Sequence, residues 1–328
     1  MLIREFPQLN FVSLNMKLID FYKYFPDEES CKEAFKAYRL RVGITCRKCG
    51  CTSHYWKKNR EQWECKSCHF RTTLKSGTVM HASKLPFQYW FIAMHLLTST
   101  KKTFSAKEVQ RQIGHKRYEP IWLMMHKIRC VMGLRDDQYK LKNEIELDDG
   151  FFETVSINRN LDEPLKRGRG SQRQSNVLVS VESKDGGDNY DPKKHGKDKK
   201  VGYLKMRVLE SLRKEEITNK VKESVKEGTH IKSDKSTSFV DLDQDYEHDA
   251  KLIPKDKVNK ALPWVHTTIS NAKRMLLDMY HRVDDDFLQN YLNEYCYKFN
   301  RRYFDDLFDR LLIATVSYRW NNLGERYG

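Results

Sequence analysis

The chain has 328 residues, 39% hydrophobic and 32% charged, which is enough for two or three packed domains and excludes a disordered chain. Its net charge of +15 points to a polyanion, most simply nucleic acid, rather than to an acidic membrane surface, because no sustained basic amphipathic helix is present. No apolar run approaches the roughly 20 residues that span a bilayer, and the N-terminus lacks a secretory pattern, so an intracellular protein with no membrane partner is expected.

Residues 1–40 read as two short helices. Asn15–Phe25 has apolar residues at helical spacing. Phe25-Pro26-Asp27-Glu28-Glu29-Ser30 starts a second helix, with Cys31, Ala34, Phe35 and Tyr38 on one face.

Residues 41–76 carry the sharpest local signal. Cys46 and Cys49 are followed, after fifteen residues, by Cys65 and Cys68. This C-x2-C-x15-C-x2-C spacing is that of a zinc ribbon: two knuckles each present two thiolates to one Zn²⁺. Four thiolates leave no open position, so the zinc is structural. Metal spacing among the cysteines fits a reducing compartment. Cys51, His54 and His69 are possible substitute ligands. Arg47, Lys48, Lys57 and Lys58 surround the knuckles and interleave with aromatics, which suits phosphate contacts and stacking, or else a solvated basic face.

Residues 77–140 read as helical. One helix opens at Pro86. Ser105-Ala-Lys-Glu108 resembles a capping box for a helix that Gly114 ends, and another runs from Glu119 to Met132. The pair fits a helix-turn-helix with Lys116, Arg117, Lys127 and Arg129 near DNA, and equally a plain helical hairpin. Residues 134–143 read as a linker.

Residues 141–320 read as one mixed α/β domain, followed by a tail at 321–328. Residues 144–155 alternate as a strand. Strands at 176–182 and 201–209, a helix at 213–225, strands ending at Asp234 and spanning 250–253, and helices at 263–281, 286–302 and 304–316 complete it. That order describes a ribonuclease H-like sheet, with the helix at 213–225 a right-handed crossover and the first and fourth strands neighbours. Asp148 and Asp234 then face one another, a site for a hard cation, Mg²⁺ or Mn²⁺. Asp149 points to the opposite face.

Several stretches, in order, resemble the insertion-sequence DDE transposases of the ISXO-like kind. They are the zinc-ribbon cysteines, Ile145-Glu-Leu-Asp148-Asp149, the basic loop Lys166-Arg-Gly-Arg-Gly-Ser-Gln172, the helix from Pro263 to Arg274, and Asn300-Arg-Arg-Tyr-Phe304. The resemblance spans roughly residues 18–318. It implies a multidomain α+β protein that binds double-stranded DNA, as transposon ends and target, and works as a homo-oligomer in the bacterial cytoplasm and nucleoid. It also implies strand cleavage and transfer by a metal-bound triad. Asp148 and Asp234 match the first two positions, and Asn271 stands where glutamate is usual. Asp278 occupies the place of an expected basic residue, for which Lys273 and Arg274 are substitutes. Arg167, Arg169 and His266 are further DNA contacts, His266 alternatively a structural histidine. Two other readings remain: an inactivated or domesticated zinc-ribbon DNA-binding protein, favoured by Asn271, and a nuclease of the same fold without strand transfer.

Overall fold

The computed structural model describes residues 16–155, 171, 173–186, 191, 193, 199–252, 261–280 and 282–319. Arg167, Arg169 and the tail at 321–328 lie outside them. The chain divides into two units, one built from residues up to Met132 together with those from Arg301, the other from Gly133–Asn300.

In the first unit, α1 (Leu18–Tyr24) is followed by α2 (Glu28–Val42). Asp27 and Ser30 form a reciprocal capping box at its start: Ser30 N–H donates to Asp27 Oδ1 at 2.8 Å, and Asp27 N–H donates to Ser30 Oγ at 3.3 Å. Cys31, Ala34, Phe35 and Tyr38 are the buried face of α2. A small antiparallel sheet follows, of β1 (His54–Lys57), β2 (Gln62–Cys65) and β3 (Arg71–Thr73). Then come α3 (Phe87–Ser99), α4 (Ala106–Ile113) and α5 (Glu119–Asp136), whose last turn, from Gly133, belongs to the second unit. Ser105 caps α4 by accepting from Glu108 N–H at 3.1 Å, and Gly114 ends it at φ +74°, a backbone that favours glycine.

The C-terminal helix, Leu307–Ser317, packs in this first unit rather than in the domain expected to run to residue 320. Its apolar face needs an aromatic partner, and finds one. Phe308 lies 5.6 Å from Phe25 and 6.0 Å from Phe91 between ring centres, and Tyr38 donates to Asp309 at 2.6 Å.

In the second unit the strands are β4 (Glu144–Glu153), β5 (Gln174–Lys184), β6 (Lys200–Leu209), β7 (His230–Asp234) and β8 (Glu247–Lys251). The last begins three residues earlier than the 250–253 expected from sequence. Helix α6 (Lys214–Ser224) links β6 to β7, and a 3-10 helix, Thr237–Gln244, precedes β8. Helices α7 (Pro263–Met279) and α8 (Leu288–Asn300) follow. The sheet order is β6-β5-β4-β7-β8. β4 pairs antiparallel with β5 and parallel with β7.

Alternation along the strands builds two cores. Ile145, Leu147 and Ile231 pack with Ile217 and Val221 of α6. Phe152, Val177, Val179 and Val181 face the other way, onto Val265, Ile269 and Ala272 of α7 and Leu288 and Leu292 of α8. Gly150 lets α7 lie close to β4: a Cβ there would meet Ile269 Cγ2 at 3.3 Å.

The outer edge of β6 is covered by two amides of α8. Asn300 accepts from Leu204 N–H at 2.8 Å and donates to its carbonyl at 2.9 Å, as a neighbouring strand would. Gln289 does the same for Val208 N–H at 2.9 Å and Met206 C=O at 3.0 Å. Asn300→Ala orphans a buried donor and acceptor on Leu204, at a cost of about 1–3 kcal/mol. Urea denaturation should show the midpoint falling with an unchanged slope, and an unchanged midpoint would refute the edge-covering role.

Candidate metal centres

The four cysteines of the ribbon converge. Cys46 Sγ lies 3.5 Å from Cys68 Sγ, Cys49 Sγ lies 3.5 Å from Cys65 Sγ, and all four sulfurs are within 4.8 Å of one another. Each knuckle closes in the same way. Gly50 N–H donates to Cys46 C=O at 2.9 Å, and His69 N–H to Cys65 C=O at 3.0 Å. The closing residues are left-handed, Gly50 at φ +74° and His69 at φ +57°. His69 is therefore a turn residue, and Cys51 and His54 lie outside the sulfur cluster. Backbone N–H groups of the second knuckle, Cys68 first, pull the Cys65 thiol down to about 6, as suits a residue that must be a thiolate to bind metal. The donor set fits one structural Zn²⁺.

Asp148 and Asp234 share a face of the larger sheet. β4 and β7 pair Leu147 with Ser233, so one step on, Asp148 stands level with Asp234. Both side chains alternate to the α7 side, opposite Ile145, Leu147 and Ile231. Asp149, on the other face, is the less suited of the pair. The Asp148 carboxyl is pushed up to about 7, by burial first, then by the charges of Asp149 and Asp234. Asp234 Oδ1 is buried without a hydrogen-bond partner. Two crowded carboxylates with an orphaned oxygen fit a divalent cation, which would satisfy both the charge and the lone pair.

α7 brings His266 to this pair. Its Nδ1 lies 3.5 Å from Asp148 Oδ2, its Nε2 is buried without a partner, and burial pushes its pKa down against the pull of the Asp234 charge. Asn271 lies on the same helix and is exposed, about 140° around the axis from His266. Lys273 lies near the His266 line, its ammonium 5.6 Å from the Phe152 ring centre, and Arg274 is exposed.

The expected DNA-contact residues separate by burial. Arg47, Lys48, Lys57, Lys58, Lys116 and Arg117 are exposed, although Lys57 pairs with Glu64 at 3.3 Å. Lys127 is buried and donates to His81 C=O at 3.2 Å. Arg129 is 1% exposed and donates to Phe104 C=O at 2.9 Å. Neither faces a groove. Ile121, Met124, Met125, Ile128, Val131 and Met132 are buried as well, so α5 is a core helix rather than an exposed reader.

Two supports were not legible as functional. Glu146, 3% exposed, accepts from Trp264 N–H at 2.7 Å and Val265 N–H at 2.9 Å, fixing the start of α7. It reads in sequence only as a polar position of a strand. Next to Asp234, Ser233 Oγ donates to Asp234 C=O at 2.8 Å and meets His248 Nε2 at 2.8 Å, while His248 Nδ1 meets Asp243 Oδ1 at 2.8 Å. Ser233 is buried, so this chain tethers the strand end and offers no open nucleophile.

Residues 140–300 match the family model described as ISXO2-like transposase domain, and residues 26–71 match the transposase zinc-ribbon domain. Neither a curated protein nor a solved structure matches the chain. Among the described residues no helix is long and apolar enough to cross a membrane.

Purified protein should carry about one zinc per chain by elemental analysis, lost together with the ribbon fold in a Cys65→Ser/Cys68→Ser variant. Retention of zinc by that variant would rule out the four-thiolate site. Asp148 titrates above its unfolded value, so its contribution to stability is fully present below about pH 4 and is lost as pH rises toward 7. In chelator, Asp148→Asn should therefore melt higher than the parent protein at pH 8 and no higher at pH 4. The opposite order would show that the carboxylate is not crowded.

Proposed function

From a chain that belongs to the ISXO2-like transposases and carries their zinc ribbon, we propose a DNA transposase that cuts at the ends of its insertion sequence and joins them to target DNA. The observation that carries this reading is the Asp148–Asp234 pair, held level on adjacent parallel strands at the centre of the sheet. The order β6-β5-β4-β7-β8, with the first three strands antiparallel and the last two added in parallel, supports a ribonuclease H-like domain.

Asp148 and Asp234 would hold Mg²⁺ or Mn²⁺. When bound, such ions supply charge neutralisation at a phosphodiester and activation of an attacking hydroxyl. The protein's own part is positional. Rigid strands fix the two carboxylates, and water access is limited by the half-buried setting of Asp148. Arg47, Lys48, Lys58, Lys116 and Arg117, all exposed, would neutralise backbone phosphates of double-stranded DNA. Lys273 and Arg274 lie on the same helix as His266 and would meet DNA nearer the carboxylates. Two ends and a target call for more than one carboxylate pair, so a homo-oligomer on DNA belongs to this reading.

The test is cleavage of a duplex bearing the element's own terminal repeats, with Mg²⁺ or Mn²⁺. Asp148→Asn and Asp234→Asn should each lower cleavage by about 10³-fold or more, comparable to losing a principal electrostatic group in other active sites. Products joined to target DNA distinguish a transposase from a nuclease, and full activity in either variant defeats the assignment. Log affinity for DNA should fall linearly with log salt. Each alanine at Lys48, Lys58 or Arg117 should shallow the slope by about one contact's share, and a slope unchanged in the triple variant would remove these residues from the interface.

A further inference from the structure

We propose that Lys251 and Lys232 hold backbone phosphates of the DNA strand to be cut, on the part of the larger sheet that α7 leaves uncovered. This rests on the reading of Asp148 and Asp234 as cation ligands. Register carries the placement. β7 pairs in parallel with β8, and Asp234 is the partner of Lys251. Asp148 stands level with Asp234 on the adjacent strand β4. Cross-strand partners share a face, so Asp148, Asp234 and Lys251 form one row across β4, β7 and β8, with neighbouring strands ~4.8 Å apart. Lys232 lies two residues before Asp234 on the same face, about 6.6 Å along the strand.

The apolar covering of that face stops short of the lysines. The core beneath α7 and α8 takes residues from β4, β5 and β6 and, among the described residues, none from β7 or β8. On this side β7 presents His230, Lys232 and Asp234, and β8 presents Glu247, Asp249 and Lys251, every one of them charged or titratable. The side chain of Lys251 is 67% exposed and reaches Asp249 at 2.6 Å. Lys232 lies 2.9 Å from Glu144, which Lys199 also meets at 2.9 Å, so two ammonium groups share one carboxylate. Ion pairs as open to solvent as these contribute little to stability, so holding the fold together does not account for them.

The chemistry of the face selects the partner. A protein partner needs an apolar or aromatic anchor at the centre of its contact, and these six side chains offer none. An ammonium needs only an anion, and phosphate suits it as a point charge. Charge then links the contact to the acidic pair. With both carboxylates ionised, the row of Asp148, Asp234 and Lys251 is formally negative by one and repels a phosphate. With a divalent ion on the pair it is positive by one. Lys251 therefore meets DNA on the cation-loaded face, next to the carboxylates, and Lys232 meets it farther along the same strand.

The experiment is equilibrium binding of the full-length, zinc-loaded protein to a terminal-repeat duplex already cut at its end, with and without added Mg²⁺. In Mg²⁺ and ~0.1 M salt, Lys251→Ala should weaken binding by about fivefold and shallow the log–log salt slope by ~0.9, one phosphate's share. Lys251→Arg should restore both. Lys220→Ala, on α6 against the opposite face of the sheet, should change neither. Without Mg²⁺ the Lys251→Ala penalty should fall below about twofold. A neutral methylphosphonate at one of the phosphates within about two nucleotides of the cut should erase that penalty, and the same group a helical turn away, ~10 base pairs, should not. Parent-like affinity and slope in a Lys251→Ala/Lys232→Ala variant, or a penalty that survives every neutral phosphate near the cut, overturns the proposal. Cleavage of the uncut duplex by Asp148→Asn separates the two levels. Loss of cleavage there, with binding by the lysine variants unaffected, removes only the role of the lysines. Parent-like cleavage there removes the two-aspartate reading, and a Lys251→Ala penalty that is the same with and without Mg²⁺ removes the link between the lysines and the pair.

Discussion

A buried carboxylate, Glu146, sets the geometry of the larger sheet's working face. It lies on β4 two residues before Asp148, on the same face, and accepts the first free N–H groups of α7 from Trp264 and Val265. Ser183 Oγ donates to its other oxygen at 2.8 Å. An anion at a helix N-terminus is favoured by the unsatisfied donors and by the dipole. Pro263 opens the helix with a residue that has no N–H to satisfy. The contact fixes both the axial position and the rotation of α7. One residue past Val265 along the helix and two residues past Glu146 along the strand, His266 and Asp148 meet.

The same face gathers more negative charge than it can comfortably hold. Asp148 is crowded by burial and by two other aspartates. Its strand neighbour at Asp234 is kept in place from behind, through Ser233, His248 and Asp243. A site held together against its own repulsion is pre-arranged for a cation, because the ordering precedes binding. The stability of this region and the metal affinity proposed for it would therefore be opposite readings of one electrostatic arrangement.

Positive charge is used in two different ways. Exposed lysines and arginines of the ribbon and of the turn before α5 remain available to a polyanion. Lys127 and Arg129 instead satisfy main-chain carbonyls inside the first unit. Net charge counts both alike, so a +15 chain has a smaller phosphate-binding surface than the total implies. The amides of α8 show the same economy on the other unit: Gln289 and Asn300 close a sheet edge that would otherwise invite another strand.

Local chemistry was legible in the residues themselves. The cysteine spacing defined the metal site, since two short knuckles must converge on one tetrahedral ion. Capping at Asp27 and Ser105 and the glycine at 114 set helix ends, and period-two alternation put Asp148 and Asp149 on opposite faces. What depends on rotation and on distant contacts was not. A one-residue shift turns a helix by about 100°, so which residues of α7 turn toward the sheet depends on Glu146, 118 positions away from the Trp264 N–H it holds, and that contact sets His266 beside Asp148. Burial of Lys127 and Arg129 was likewise invisible, because a basic residue on an apolar helix reads the same whether its charge meets solvent or a buried carbonyl. The C-terminal helix advertised an apolar face but not its partner, and only aromatic packing around Phe308 placed it in the first unit.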